Sequence, residues 1–321
     1  MDPLDFAIYR ALSPGGEARF WVGRRVIDPR IPAREIAEQV GVSENGVRVR
    51  LQGLARNGYL RGKAVIPNPS LFGGTVFVAE LPIHEASEVT ALYRDLGLVE
   101  GVVFARDTLD EGERRLQVHF VAENEATVTR RAALLRRLSP SGTLGGPRPY
   151  WIPSGPLELT SLDWRVLRAL MQHPDATIAE TARTVGISLK TTARRYHPLI
   201  DARACWWTHG PDAEEFPLAL LLLGVGNPDD RESVLRQISG QGLAWMPVAR
   251  DGYGVEPGDG TSATALAGLV PADAPAVLER TVRKLAELPG VVTVHRTFAL
   301  GSMTYPGWFA DRIAEHVPAR R

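Results

Sequence analysis

The feature that most constrains this chain is an internal duplication. Leu4-Asp5-Phe6-Ala7-Ile8-Tyr9-Arg10-Ala11-Leu12 parallels Leu162-Asp163-Trp164-Arg165-Val166-Leu167-Arg168-Ala169-Leu170, with five of the nine positions identical and two more apolar in both. Glu35, Ala37, Val40, Gly41, Ser43, Arg50 and Leu54 then recur as Glu180, Ala182, Val185, Gly186, Ser188, Arg195 and Leu199, all displaced by 145 positions. The opening helices are displaced by 158, so the first copy is 13 residues longer between its first two helices. That insert holds Pro14-Gly15-Gly16 and the basic, aromatic run Arg19-Phe20-Trp21-Val22-Gly23-Arg24-Arg25.

Each copy reads as a helix-turn-helix. Pro32 stands at a first helical position, and Ile36, Ala37 and Val40 form one apolar face. Gly41 can take the left-handed conformation that ends a helix at a tight turn, and Ser43 is a natural N-cap for a second helix over Glu44 to Ala55. Asn57 to Lys63 reads as a turn into a short winged hairpin. By helical spacing Glu44, Asn45, Arg48, Val49 and Gln52 point outward. Arg, Asn and Gln at such positions can pair bidentately with base edges in a major groove, and Arg61 and Lys63 on the wing can hold phosphate. In the second copy Lys190, Thr191, Arg194 and Arg195 are the polar counterparts. Pro198 inside that second helix predicts an early kink or end, and the wing residues Cys205-Trp206-Trp207 are apolar, suited to packing. The DNA-binding candidates are therefore Ser43, Glu44, Asn45, Arg48, Arg50, Gln52, Arg61 and Lys63, with Lys190, Thr191, Arg194 and Arg195.

After each helix-turn-helix the patterning changes. In the first half, strands are expected at Thr75–Leu81, Val99–Thr108, Arg114–Ala122 and Tyr150–Ile152, with helices at Glu85–Leu96 and Ala126–Leu138. In the second, strands are expected at Leu218–Val225, Leu243–Ala249, Ala263–Val270 and Val291–Leu300, with helices at Arg231–Ser239 and Ala274–Leu288. This strand-helix-strand-strand-helix-strand order is the split βαβ, ferredoxin-like arrangement. The expectation is an α+β chain of four domains: 1–72 winged helix-turn-helix, 73–153 ferredoxin-like, 154–212 second helix-turn-helix, and 213–321 second ferredoxin-like with a C-terminal helix. The Pro-, Gly- and Ser-rich stretch Ser139–Thr160 serves as the linker.

Charge follows the same division. The chain as a whole is neutral, with 37 basic and 37 acidic residues. Residues 1–74 carry 11 Lys and Arg against 7 Asp and Glu, and residues 160–210 carry 7 against 4, so the remainder is acidic. A single cysteine, Cys205, excludes an internal disulfide and a Cys-rich zinc site. With no apolar run of spanning length and no apolar signal core, the expected location is the cytoplasm, with no membrane partner.

With Leu4-Asp5, Ile36-Ala37, Val40-Gly41-Val42-Ser43, Val47, Arg50, Leu51, Leu54, Gly58 and Leu60 in place, the sequence resembles the Lrp/AsnC family of transcriptional regulators, over nearly the whole chain. The resemblance implies ACT/RAM-like α/β domains that pair and bind a small effector such as an amino acid near loops at the subunit interface. Members of that family usually carry one copy per chain. Two copies here imply an intramolecular pseudo-dimer or a homo-oligomer. The hairpin around Thr108 to Arg114 departs from the family's glycine-bearing effector hairpin, and in the second half Asp251 to Gly260 forms a longer Gly-rich loop.

No catalytic signature is present: no phosphate-binding loop, no Gly-x-Ser-x-Gly, no His-Glu-x-x-His. The seven histidines are scattered and not paired at metal spacing, so neither a metal nor a cofactor is expected. The leading expectation is a double-stranded-DNA-binding regulator. Two alternatives stand beside it. The siroheme decarboxylases resemble the same family in paired form, and His119 in Leu116-Gln117-Val118-His119-Phe120 lies on a strand where a substrate-facing histidine could sit. The third reading is a ligand-sensing interaction protein without DNA affinity.

Overall fold

The computed structural model describes residues 3–12, 19–21, 24–57, 60–110, 112–150, 158–210, 218–239, 244–248, 265–271 and 275–317. The expected features at Pro14-Gly15-Gly16, Gly58, Trp151-Ile152, Leu243, Ala249, Ala263 and the Asp251–Gly260 loop lie outside them. The first half runs α1 (Pro3–Ala11), β1 (Arg19–Trp21), β2 (Arg24–Ile27), α2 (Ala33–Val40), α3 (Glu44–Arg56), β3 (Arg61–Pro67), β4 (Thr75–Ile83), α4 (Glu88–Leu96), β5 (Val102–Asp110), β6 (Glu113–Ala122), α5 (Glu125–Leu138) and β7 (Gly145–Tyr150). The second runs α6 (Ser161–Gln172), α7 (Ile178–Val185), α8 (Leu189–Asp201), β8 (Cys205–Gly210), β9 (Leu218–Val225), α9 (Arg231–Ser239), β10 (Ala244–Val248), β11 (Ala265–Pro271), α10 (Pro275–Ala286), β12 (Val291–Thr304) and α11 (Gly307–His316).

The turns between helices repeat atom for atom. Gly41 and Gly186 close α2 and α7 at φ of 72° and 76°, a left-handed conformation that costs a β-carbon dearly. Ser43 Oγ then accepts the Gly46 N–H, and Ser188 Oγ the Thr191 N–H, each at 3.1 Å. The second unit carries stronger starts. Thr160 with Asp163 and Thr177 with Glu180 form complete capping boxes on α6 and α7.

Each ferredoxin-like half lays its strands in the split order, β5-β6-β4-β7 and β10-β11-β9-β12. The halves then join edge to edge, because the last strand of the second, β12, pairs antiparallel with β5 of the first over Thr297↔Asp110 to Thr304↔Phe104. The result is one eight-stranded sheet. β12 runs to Thr304, four residues past its expected end, since its N-terminal part pairs with β9 and its C-terminal part with β5. That crossover carries α11 into the first half. Its Trp308 and Phe309 pack on Val76, Val103, Phe104 and Val121, while Ile313 packs against the second helix-turn-helix.

Three other elements differ from expectation. The last strand of the first half is Gly145–Tyr150, inside the expected linker and ahead of the expected Tyr150–Ile152; Pro147 and Pro149 are tolerated there because β7 is an edge strand paired on one side to β4. The helix expected from Glu85 begins at Glu88, whose carboxylate accepts the N–H groups of His84 and Glu85. α8 continues through Pro198 to Asp201. Pro198 and Arg194 both face solvent, so the Arg194 carbonyl left without a helical donor can be hydrated.

The wings also differ. Among the described residues neither β3 nor β8 pairs with a strand of its own unit. β3 of the first unit pairs with β8 of the second through Ala64↔Thr208, Val65↔Trp207 and Ile66↔Trp206, and β2 pairs with the other edge of β8. The sheet order β1-β2-β8-β3 interleaves the units. Its two faces are apolar and both covered. Ile27, Val65, Cys205 and Trp207 pack on α6 and α8, and Val26, Ile66 and Trp206 pack on the eight-stranded sheet and α11. Apolar β8 is thus the middle layer of the molecule, where each large side chain contributes about 1.5–3 kcal/mol of burial. No helix among the described residues is long and apolar enough to cross a membrane.

Candidate nucleic-acid interface

α3 and α8 are the second helices of the two helix-turn-helix units, and their outer faces are open. On α3, Asn45, Arg48, Val49 and Gln52 are exposed, and Glu44 pairs with Arg48 at 2.5 Å across one turn. On α8, Leu189, Lys190, Arg194 and His197 are exposed. Their inner faces are equally regular. Val47 and Leu54 are buried in the first unit, Thr192, Tyr196 and Leu199 in the second. Thr192 is accommodated because its hydroxyl donates to the Ser188 carbonyl at 3.1 Å.

The twelve candidates divide by role. Arg48, Asn45, Gln52, Lys190 and Arg194 stand outward. Ser43 and Thr191 are occupied by the caps just described, with the Ser188 and Thr191 hydroxyls 2.8 Å apart. Arg50 and Arg195 turn inward: Arg50 reaches Asp5 at 2.7 Å and Arg195 faces Asp163 at 3.5 Å. The i, i+2 spacing from Arg48 to Arg50 moves the side chain 200° round the helix, which is why the two neighbours part ways. Lys63 is drawn off the wing to Asp175 at 3.0 Å, between α6 and α7. Arg61 opens β3 opposite Gly210.

A second constellation lies on the face of the sheet away from α4 and α5. His119 on β6 is buried, its Nδ1 has no hydrogen-bond partner among the described residues, and Phe104 and Tyr150 meet its ring edge-on at 5.4 and 5.6 Å. Arg106 lies over the Phe104 ring at 5.4 Å. Burial, then the nearby Arg106 charge, push the His119 pKa down to about 3, so the imidazole is neutral. Burial also lowers the Arg106 pKa and raises that of Tyr150. Among the described residues Arg106 has no carboxylate partner, in contrast to Arg114, whose Nε donates to Asp107 at 2.9 Å. Sequence reading singled out His119 and missed Arg106 and Tyr150. Strand alternation on β5 was the available signal, since Arg106, Thr108 and Asp110 fall on one face.

A cavity of about 250 Å³ opens nearby, between the wing sheet, α6, the start of β5 and the end of β12. Ile66, Phe104, Met171 and Phe309 give it apolar walls, and Lys63 and Thr304 supply its polar groups.

Two helix-turn-helix units, each followed by a βαββαβ half, thus make up the chain. The family model for winged helix-turn-helix DNA-binding domains matches residues 28–61 and 159–202, one match in each copy. The chain therefore carries two DNA-binding domains of the winged type. Across its full length the fold is similar to that of the siroheme decarboxylase NirDL, with a TM-score of 0.50 at 12% identity over 98% of both chains. The same enzyme in complex with an iron-uroporphyrin III analogue gives 0.51, again at 12% identity and 98% coverage. An AsnC family transcriptional regulator from Agrobacterium tumefaciens covers 51% of this chain with 99% of its own, at 18% identity and a TM-score of 0.33. No curated protein matches the sequence.

Proposed function

We propose that the chain is a sequence-specific, double-stranded-DNA-binding transcriptional regulator of the cytoplasm, a single-chain counterpart of a dimer. The observation that carries this reading is the pair of winged helix-turn-helix matches whose second helices both leave their outer faces uncovered. Arg48, Asn45 and Gln52 on α3 and Lys190 and Arg194 on α8 contact the major groove, and Ser43 and Thr191 set the helix N-termini against phosphate. Domains divide at 1–72, 73–153, 154–212 and 213–321. The cavity beside Lys63 supports a small effector, an amino acid or similar acid, because it touches both the wing sheet and the α/β sheet. The test is binding of the purified chain to a fluorescent duplex from its own upstream region across a salt series. Affinity should fall steeply with salt and fall further with Arg48→Ala. Absence of binding at low salt rejects the reading.

One observation favours a second reading. A half-buried cation without a carboxylate partner among the described residues, beside an imidazole whose Nδ1 is unpaired there, is a site for an anion. NirDL, which shares the fold, is named as a siroheme decarboxylase. In this reading Arg106 and His119 hold a carboxylate of an anionic tetrapyrrole. Titration with iron-uroporphyrin III would then shift its absorption band, and Arg106→Leu would abolish the shift.

A further inference from the structure

The two recognition faces have diverged at every outward position, while key contacts behind them persist. At the displacement of 145, Glu44, Asn45, Arg48, Val49 and Gln52 correspond to Leu189, Lys190, Ala193, Arg194 and His197. All five outward positions differ in chemistry. An acid becomes an aliphatic, a neutral amide an ammonium, a guanidinium a methyl, an isopropyl a guanidinium, and an amide an imidazole. Two inward positions are retained: Arg50 and Arg195 each bind the aspartate of the preceding first helix, and Leu54 and Leu199 are both buried, whereas Val47 becomes Thr192 and Leu51 becomes Tyr196 with the positions kept inside. Exposure does not explain the difference, since Val49 is 53% and Leu189 55% exposed, and neither face is covered by the described residues.

The wing sheet fixes how the two faces are arranged. β3 and β8 occupy corresponding places in the repeat and pair antiparallel, with an irregularity between Arg61 and Ala64. Antiparallel pairing of corresponding strands relates the two units by a local two-fold axis, as in an isologous dimer. A homodimer of such units presents one chemistry twice and so selects a palindrome. Here the axis relates two different reading surfaces.

From this juxtaposition we infer that the chain reads a non-palindromic duplex, made of two dissimilar half-sites in inverted orientation. This rests on the regulator reading and deepens it. The α3 half-site is read by Arg48, Asn45 and Gln52, side chains suited to guanine and adenine edges, with Val49 placed for a thymine methyl. The α8 half-site is read by Lys190 and Arg194, both of which favour guanine, with Leu189 as its apolar contact.

The experiment is enrichment of the intact chain on a library of random duplexes. It is followed by affinity measurements on the enriched site and on two palindromes, each built from one half repeated. The expected motif is asymmetric, and both palindromes bind about tenfold or more weakly than the natural combination. Arg48→Ala should relax base preference in one half only, and Arg194→Ala in the other. A palindromic motif, or a loss of preference in both halves from Arg48→Ala alone, overturns this inference and leaves the regulator reading intact. Failure to enrich any duplex at low salt overturns both.

Discussion

Arg50 on α3 reaches Asp5 on α1, Nη1 to Oδ1, at 2.7 Å, and its repeat counterpart Arg195 on α8 faces Asp163 on α6 at 3.5 Å. In each unit this pair ties the first helix to the recognition helix from the inner side. It persists across a duplication in which the outward residues have all changed, which marks it as part of the scaffold.

The Arg50–Asp5 pair is half-buried, with the arginine side chain 33% exposed, so its contribution is smaller than that of a fully desolvated pair. Arg50→Ala should lower stability by about 1–2 kcal/mol. Asp5→Ala should do the same, and the double variant should cost little more than either alone, the signature of one shared interaction. Urea unfolding midpoints measure all three. An Arg50→Ala variant that unfolds at the native midpoint but loses duplex affinity would assign Arg50 to DNA instead.

His119 makes stability pH-dependent in one direction. The unfolded chain binds a proton near pH 6.5, the ordinary histidine value, while the folded chain refuses it until about pH 3. Between those values the unfolded state holds more protons, so stability falls as pH falls, by up to about 1.4 kcal/mol per pH unit for this one group. Above pH 6.5 the effect vanishes. The drop in unfolding midpoint between pH 7.5 and pH 5 should therefore shrink in His119→Phe, whose ring can occupy the place between Phe104 and Tyr150. An unchanged drop would mean that the imidazole is protonated in the fold.

Much of this organisation is legible in the residues themselves. Gly41 with Ser43 and Gly186 with Ser188 announce both tight turns, because a left-handed residue followed by a cap has few other uses. Alternation gives the ferredoxin-like strands of both halves. What cannot be read is pairing between distant segments. Cys205-Trp206-Trp207 shows that β8 is apolar, yet nothing local says that β2 and β3 of the other unit flank it. Likewise Thr297 to Thr304 carries no mark of the β5 edge it joins. The inward turn of Arg50 and the diversion of Lys63 to Asp175 are also invisible locally, since a basic side chain on a helix or wing can serve phosphate or a carboxylate with the same atoms.

The interleaved wing sheet makes the two halves mutually dependent. A chain cut within residues 151–157 would yield a first half with β2 and β3 lacking the strand between them, and with Ile27 and Val65 stripped of their cover by α6 and α8. The two fragments, produced together, should copurify as a 1:1 complex. Trp207→Ala should weaken that complex and cost the intact chain about 3–5 kcal/mol, because the indole is buried against Tyr196 at 5.3 Å. Fragments that each remain monomeric and folded when separated would show that the shared sheet is dispensable.

Pro198 offers a test of the recognition helix itself. It sits in the last third of α8, where its ring removes the hydrogen bond that residue 198 would donate to the Arg194 carbonyl. Alanine at an interior helical position is favoured over proline by about 3 kcal/mol, while proline gives back about 0.4–1 kcal/mol by restricting the unfolded chain. The side chain is exposed, so no packing is lost on truncation. Pro198→Ala should therefore raise stability by about 2–2.6 kcal/mol, read as a higher urea midpoint with an unchanged slope. Amide exchange at residues 198 to 201 should slow as the last turn gains its missing bond. A lower midpoint would mean that the proline bends α8 into a shape that the packing of its Tyr196 and Leu199 with Trp207 requires. Straightening the helix would then disturb the core before it helped the backbone.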